Sequence, residues 1–360
     1  MIYIAGITIA VFFEFLLLSK KNKSEPDKIL AIWMLLIIIH LSLIYLFSSG
    51  AIHNFPFLWG VELPIPLLHG VMLYLYVASM TNQLPQNRKL LFLHFLPAAA
   101  MYVYLVSFLI LPVERKDFVY KNYGAGYEVF TAVRLIIIII SGIIYVIWSH
   151  LLLRKHRQNI LSRFSYKDKI NLQWLQILIS GTIGIWLLIF LFFRNDVFIF
   201  MGVVVFVFMI GFFGIRHVKI FDGEKEIPDN AERKAKYSKS GLTKELSEKL
   251  YAELLRLMNE DLMFRKNDLA TNDLASKLNV HPNYLSQIIN EREGKNFYDF
   301  INQYRIEAFI KLISDPKNRN TTLLSMAFDC GFNSKSSFNR NFKKVIGKTP
   351  SEYFDSLTIE

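Results

Sequence analysis

Apolar residues crowd the first 215 positions in long runs, and from about Arg216 onward they thin to single positions spaced at helical intervals among charged ones. Seven runs stand out, near Ile2 to Leu18, Ile29 to Ser48, Leu58 to Met80, Leu90 to Leu111, Val129 to Leu153, Trp174 to Phe193 and Val197 to Ile215. A helix needs about 20 apolar residues to cross a hydrocarbon core about 30 Å thick, where the backbone must satisfy its own hydrogen bonds. The pattern therefore predicts an all-α chain that opens with a multi-span helical membrane bundle over 1–215. The span count is seven, or one more or fewer, because the short turn around Arg194 and Asp196 allows two divisions. The first run reads as a span and not as a cleaved leader: no basic residue precedes it and no small-residue cleavage pattern follows.

Residues 216–245 turn polar and charged, with Gly223, Pro228, Asp229 and Asn230, and read as a cytoplasmic linker. Apolar positions then return at Leu246, Leu250, Leu254, Leu255 and Met258, which mark one amphipathic helix. No strand pattern appears. Thr271 or Asn272 is placed to cap a short helix carrying Leu274, Ala275 and Leu278; Asn279 and Val280 turn the chain. Pro282 then opens a second helix burying Leu285, Ile288 and Ile289. The arrangement recurs downstream, where Leu323, Leu324, Met326 and Ala327 line one helix and Gly331 with Phe332 makes the turn. Ser334 there caps a helix burying Phe338, Phe342 and Val345. Two short helices joined by such a turn form a helix-turn-helix unit. A connecting helix of about 17 residues, about 25 Å long, runs between the two units through Phe297, Phe300, Ile301, Tyr304, Ala308, Phe309 and Leu312. Successive major-groove faces of a duplex lie about 34 Å apart, so two units on one rigid connector suit adjacent grooves.

Composition agrees with two solvents. Of the 360 residues, 53% are hydrophobic, too many for an ordinary soluble chain. The net charge of +11 sits mainly in the first two thirds: residues 1–240 hold 24 Lys and Arg against 14 Asp and Glu, and residues 241–360 hold 17 against 16. The excess charge thus argues for membrane topology and not for nucleic acid. Twelve basic residues fall in alternate loops between the runs, among them Lys20, Lys21, Lys23, Lys28, Arg88, Lys89, Arg154 and Lys155, against four in the intervening loops. Basic loops stay in the cytoplasm, so the N-terminus lies outside and the C-terminal domain inside.

A few ionisable residues lie within the runs, including Glu14, Glu62, Arg134, His40, His69 and His94. Burying charge in lipid is costly, so each should face the bundle interior or water. Glu62 and Arg134 share the outward half, and Pro64 and Pro66 should break the helix after Glu62 and leave carbonyls to line a cavity. This pair marks a candidate pocket for an unknown signal ligand. The three histidines read as interhelical hydrogen-bonders. Cys330 is the one cysteine, which excludes an intrachain disulfide and an all-cysteine metal cage. No catalytic constellation, metal cluster or phosphate-cradling loop occurs at usable spacing, so neither enzyme activity nor a metal or other cofactor is expected.

The run from Leu324 to Tyr353 carries a resemblance. Gly331-Phe332, Phe338, Arg340, Phe342-Lys343-Lys344, Gly347, Thr349-Pro350-Ser351 and Tyr353 together resemble the C-terminal motif of the AraC/XylS transcription regulators. The likeness extends over about a third of the chain, residues 246–354, and departs at Met326 and Phe354, where that family favours isoleucine and arginine. It says nothing about the membrane half; taken with the apolar runs, the chain reads as a bacterial, membrane-anchored variant of those regulators in the inner (plasma) membrane. The likeness implies an all-helical double helix-turn-helix domain whose second helices enter the major groove of double-stranded DNA. The residue chemistry agrees, because Asn333 to Lys348 holds Lys335, Arg340, Lys343, Lys344 and Lys348 with no acid. Lys335, Ser336 and Asn339 are placed for base edges, with Arg340 on bases or phosphate. Their equivalents in the first unit are Asn283, Tyr284, Ser286 and Gln287. RNA polymerase and a second copy of the chain are further candidate partners, beside the lipid bilayer. The competing reading is a transporter or other membrane protein with an appended autoregulatory helix-turn-helix domain.

Overall fold

The computed structural model describes residues 2–122, 124–166, 172–191, 196–216, 243–318 and 321–358, and among these the only extended pairing is an isolated bridge between Phe164 and Ala270. Two compact units emerge: Met1–Arg154 with Leu172–Glu224, and Lys155–Asn171 with Lys225–Glu360. Most of the proposed linker, 217–242, lies outside the described residues.

The first unit contains α1 (Ile2–Leu18), α2 (Glu25–Ser48), α3 (Pro66–Met80), α4 (Leu96–Leu109), α5 (Val113–Lys121), the greater part of α6 (Glu128–Arg163), α7 (Gln173–Leu191) and α8 (Asp196–Arg216). Each apolar run contributes a helix among the described residues, though not over its whole length. Four stretches are long and apolar enough to cross a membrane, Glu25–Ser48, Lys89–Leu109, Glu128–Arg163 and Gln173–Leu191, and Ile2–Leu18, Pro66–Met80 and Phe198–Gly214 are shorter apolar helices. The third run shows why it falls short. Instead of one helix from Leu58, a 3-10 turn covers Pro56–Leu58 and hydrogen-bonded turns follow to Ile65, because Pro64 and Pro66 lack the N–H that a continuous helix would use. Helix starts only at Pro66, where a first turn accepts proline. The fourth run likewise begins as 3-10 helix over Arg88–Phe95.

Small residues let the helices of this unit approach closely. A Cβ added at Gly211 would stand 2.1 Å from the Phe13 ring, so α1 and α8 meet where glycine leaves room. Ser24 and Asp27 cap α2 reciprocally, and Lys20 pairs with Asp27 at 2.6 Å. On α6 the side chains of Ile136, Ile139, Ile140, Ile143, Ile144 and Ile147 are exposed. An apolar stripe of that length on a free helix face requires a non-aqueous neighbour.

The second unit contains α9 (Lys244–Asn259), α10 (Thr271–Lys277), α11 (Pro282–Glu293), α12 (Phe297–Ser314), α13 (Leu323–Asp329), α14 (Lys335–Ile346) and α15 (Pro350–Thr358). The 18-residue α12 is its spine. One end buries Phe297, Phe300 and Ile301 with Leu254, Phe264, Leu274, Leu285 and Ile289; the other buries Ile306 and Phe309 with Met326, Cys330, Phe332, Phe338 and Phe342. Phe309 packs 4.7 Å from Phe338 and 5.6 Å from Phe342, centroid to centroid. Gly331 is held at φ +95°, and a Cβ there would stand 2.6 Å from the Phe264 carbonyl oxygen, so both the turn and the close approach demand glycine.

Burial in this second core pushes the Cys330 thiol up to about 11. Thiolate is the nucleophile, so at pH 8 the folded thiol is neutral as well as enclosed. Cys330 is therefore expected to resist thiol reagents in the native chain and to label at the rate of local unfolding. Rapid native labelling, measured as reagent uptake against denaturant, would contradict the packing described.

Candidate nucleic-acid interface

Thr322 accepts the Ser325 N–H at 3.2 Å and starts α13; Ser334 accepts the Ser337 N–H at 3.2 Å and starts α14. Phe338 and Phe342 turn one face of α14 into the core. The opposite face presents Lys335, Ser336, Asn339, Arg340, Lys343 and Lys344, all exposed. Lys344 is nevertheless engaged, donating to Asp299 at 2.6 Å. Asn341, facing inward, donates to the Tyr298 hydroxyl at 2.7 Å and ties α14 to the spine. The arrangement is an exposed cationic helix face on a rigid backing, with hydroxyl, amide and guanidinium groups among the charges.

The segment 274–356 matches the family model described as Helix-turn-helix domain. The C-terminal part of the chain is a helix-turn-helix domain of AraC type. Over 87 residues the chain is 29% identical to the Msm operon regulatory protein of Streptococcus mutans, which covers 24% of this chain and 30% of that protein. Over 88 residues it is 26% identical to an uncharacterized HTH-type transcriptional regulator, YtdP, of Bacillus subtilis, covering 24% of this chain and 11% of that protein. The chain therefore spans less than a third of the length of these two relatives. A solved structure of a protein of unknown function from Listeria innocua aligns with 29% of this chain and 94% of that one, at 25% identity and a TM-score of 0.26.

In the first unit of the helix-turn-helix domain, α10 starts differently from expectation. Neither Thr271 nor Asn272 caps it; Ala270 occupies the N-cap and its N–H donates to the Asp273 carboxylate at 2.8 Å. A carboxylate three residues into the helix reaches back and takes the place of a capping hydroxyl. Asn279 turns the chain at φ +51°, and His281 Nδ1 accepts the Asn283 N–H at 3.2 Å to start α11. Asn283 and Tyr284 are half-buried. Ser286 donates to the Ser162 carbonyl at 3.2 Å, and Gln287 is buried and donates to Glu291 at 2.8 Å. The two units are thus unequal: the second presents its polar face openly, the first does not.

Sequence reasoning missed Arg305. This residue is 1% exposed, and its guanidinium donates to the carbonyls of Phe264 at 2.8 Å and Lys266 at 2.7 Å, and to Ser165 Oγ at 3.1 Å and the Ser165 carbonyl at 3.2 Å. Burial pulls it down to about 10, so it remains a cation at neutral pH. Its position four residues after Ile301 and four before Phe309, on the buried stripe of α12, was the available signal.

Glu62 and Arg134 belong to the first unit; Arg134 lines a depression there, and Glu62 is held by Tyr120, which lines it too. Tyr120 donates to one Glu62 oxygen and the Gly60 N–H to the other at 3.1 Å. Tyr102 donates to the Val61 carbonyl at 2.7 Å, one of the carbonyls released by the broken third run. A cavity of about 380 Å³ is lined by Leu63, Leu105, Phe108, Tyr127, Phe130 and Arg134, among others, and Arg134 Nε is buried there with no hydrogen-bond partner. The histidines are hydrogen-bonded as expected: His40 to His69 at 2.9 Å, and His94 to the Tyr145 hydroxyl at 3.0 Å.

Proposed function

We propose that the chain is a membrane-bound, sequence-specific DNA-binding transcription regulator that senses a signal through its helical bundle. The observation that carries this reading is the exposed polar and cationic face of α14, on a helix-turn-helix domain whose relatives include an operon regulatory protein, in a chain that also holds helices long and apolar enough to cross a membrane. Residues 1–215 are the membrane sensor, 216–245 the linker and 246–354 the DNA-binding domain. The bundle resides in the bacterial inner membrane with its N-terminus outside, which puts the domain beside the chromosome. Lys335, Ser336, Asn339 and Arg340 read the second half-site, with Lys343 and Lys344 on phosphate; Asn283, Tyr284, Ser286 and Gln287 read the first. Two tethered copies raise each other's effective concentration, so dimeric binding to paired sites needs no further contact. Selection of duplexes from a random library by the full chain in lipid nanodiscs tests the reading. A recurring motif bound with strong salt dependence supports it, and binding without sequence preference overturns it.

The signal site is the cavity beside Glu62 and Arg134. Aromatic walls with an Arg134 Nε that lacks a hydrogen-bond partner suit a small ligand with an apolar body and an anionic group. Glu62→Gln and Arg134→Gln are each expected to change target-gene output while the salt dependence of DNA binding by the chain stays as it was. Unaltered output in both variants would remove the cavity from the signalling route.

A further inference from the structure

We propose that residues 162–166 form an intrachain cover on the first helix-turn-helix unit, one that DNA must displace before the unit can be read. These residues belong to the same compact unit as the helix-turn-helix domain. Ser165 is 1% exposed, and it is the anchor: its N–H and its hydroxyl both donate to the Leu269 carbonyl, at 3.1 and 2.7 Å. Its own carbonyl accepts from Asn302 at 3.1 Å and from Arg305 at 3.2 Å. Phe164 pairs with Ala270 as a short antiparallel bridge. Just upstream, Thr271 donates to the carbonyls of Ser162 and Arg163 at 3.0 and 3.1 Å, and Ser286 donates to the Ser162 carbonyl at 3.2 Å. A backbone segment with its carbonyls turned onto the domain thus takes up hydroxyl donors at the start of α10 and on the face of α11.

The two units supply an internal comparison. Ser286 follows the buried Leu285 as Asn339 follows the buried Phe338, so the two occupy the same place on their helices. Asn339 and the next residue, Arg340, are exposed; Ser286 is half-buried beneath Ser162, and the next residue, Gln287, is buried. At the first unit the Ser162 carbonyl of the 162–166 segment occupies the Ser286 hydroxyl. A duplex using Ser286 must break its bond to Ser162, and the segment cannot stay seated while a base edge takes that place. Ser162 and Arg163 are also the last residues of α6, the helix that carries Arg134, so the cover is chain-continuous with the proposed signal site.

The inference rests on the DNA-binding reading, and its test separates the two. Hydrogen exchange is followed on the wild-type chain in nanodiscs, with and without a duplex selected by that chain. Exchange at 162–166 is expected to rise on DNA binding while α14 becomes protected. A duplex that binds while 162–166 keeps or gains protection overturns the cover and leaves the regulator; a chain that captures no duplex overturns both. In a second arm, Ser165→Pro removes the N–H and the hydroxyl that hold the anchor, and with them two hydrogen bonds to Leu269 and one from Arg305; their loss corresponds to a gain in affinity of at least about tenfold through release of the covered state. The footprint should cover the same two half-sites as that of the wild-type chain, because both reach the same uncovered bound state. Unchanged affinity in this variant, with Cys330 still protected from thiol reagents, overturns the proposal; if Cys330 becomes reactive, the wild-type exchange result decides it.

Discussion

Arg305→Met is expected to destabilise the C-terminal unit by about 3 to 5 kcal/mol, at the upper end of what a single substitution does to a domain. Methionine nearly matches the length of the side chain but donates nothing. The carbonyls of Phe264 and Lys266 and the carbonyl and hydroxyl of Ser165 would all lose the donor now within 3.2 Å. The Ser165 carbonyl keeps Asn302 and the Lys266 carbonyl keeps the Leu269 N–H, but the Phe264 carbonyl loses its guanidinium donor at a cost of about 1 to 3 kcal/mol, and each further bond lost from a charged donor adds about 1.5 kcal/mol or more. Arg305→Lys should recover only part of the loss, because an ammonium lacks the planar fork that reaches several carbonyls at once. Cys330 labelling as a function of denaturant measures the change directly. A loss below about 1 kcal/mol for Arg305→Met would mean that the network contributes little beyond packing.

The second large effect concerns recognition. Replacing Arg340 and Lys343 together by alanine should weaken DNA binding at least tenfold and reduce the slope of log affinity against log salt by about one unit for each phosphate contact removed. Asn339→Ala should act differently, relaxing preference at one base pair with little change in salt slope. Lys344→Ala is expected to have a smaller effect than Lys343→Ala, since Asp299 already holds the Lys344 ammonium at 2.6 Å. Equal losses at all positions, with unchanged salt dependence, would contradict the assignment of α14 as the reading helix.

Much of this was legible in the residues because lipid and helix geometry impose strict patterns. A membrane span must be apolar over its whole length, so the seven runs announced helices, and Pro64 and Pro66 announced where the third would break. Leu285 with Ile289, and Phe338 with Phe342, recur at the spacing that buries one helix face, so both helix-turn-helix units were visible as well. What stayed hidden depends on partners distant in sequence. Arg305 finds Ser165 across 140 positions, and Lys344 finds Asp299 across 45. Periodicity places Arg305 on a buried stripe but cannot supply the carbonyls that make burial tolerable. Ser286 shows the same limit from the other side: its place on α11 marks it for base contact, and only the fold reveals Ser162 above it. At α10 the miss is local, because the Thr271 hydroxyl and the Asn272 amide are capping groups by type, while Asp273, three residues into the helix, is the group in reach of the free N–H.

For a DNA-binding regulator in the membrane, the helix-turn-helix domain must stand on the side of the bilayer where DNA is. Fusing a fluorescent protein that matures only in the cytoplasm after Glu360, and separately after Asn54 in the loop between the second and third apolar runs, tests it in living cells. A bright membrane rim is expected for the Glu360 fusion and none for the Asn54 fusion. A dark Glu360 fusion, with an exported enzyme reporter active at the same position, would contradict that placement.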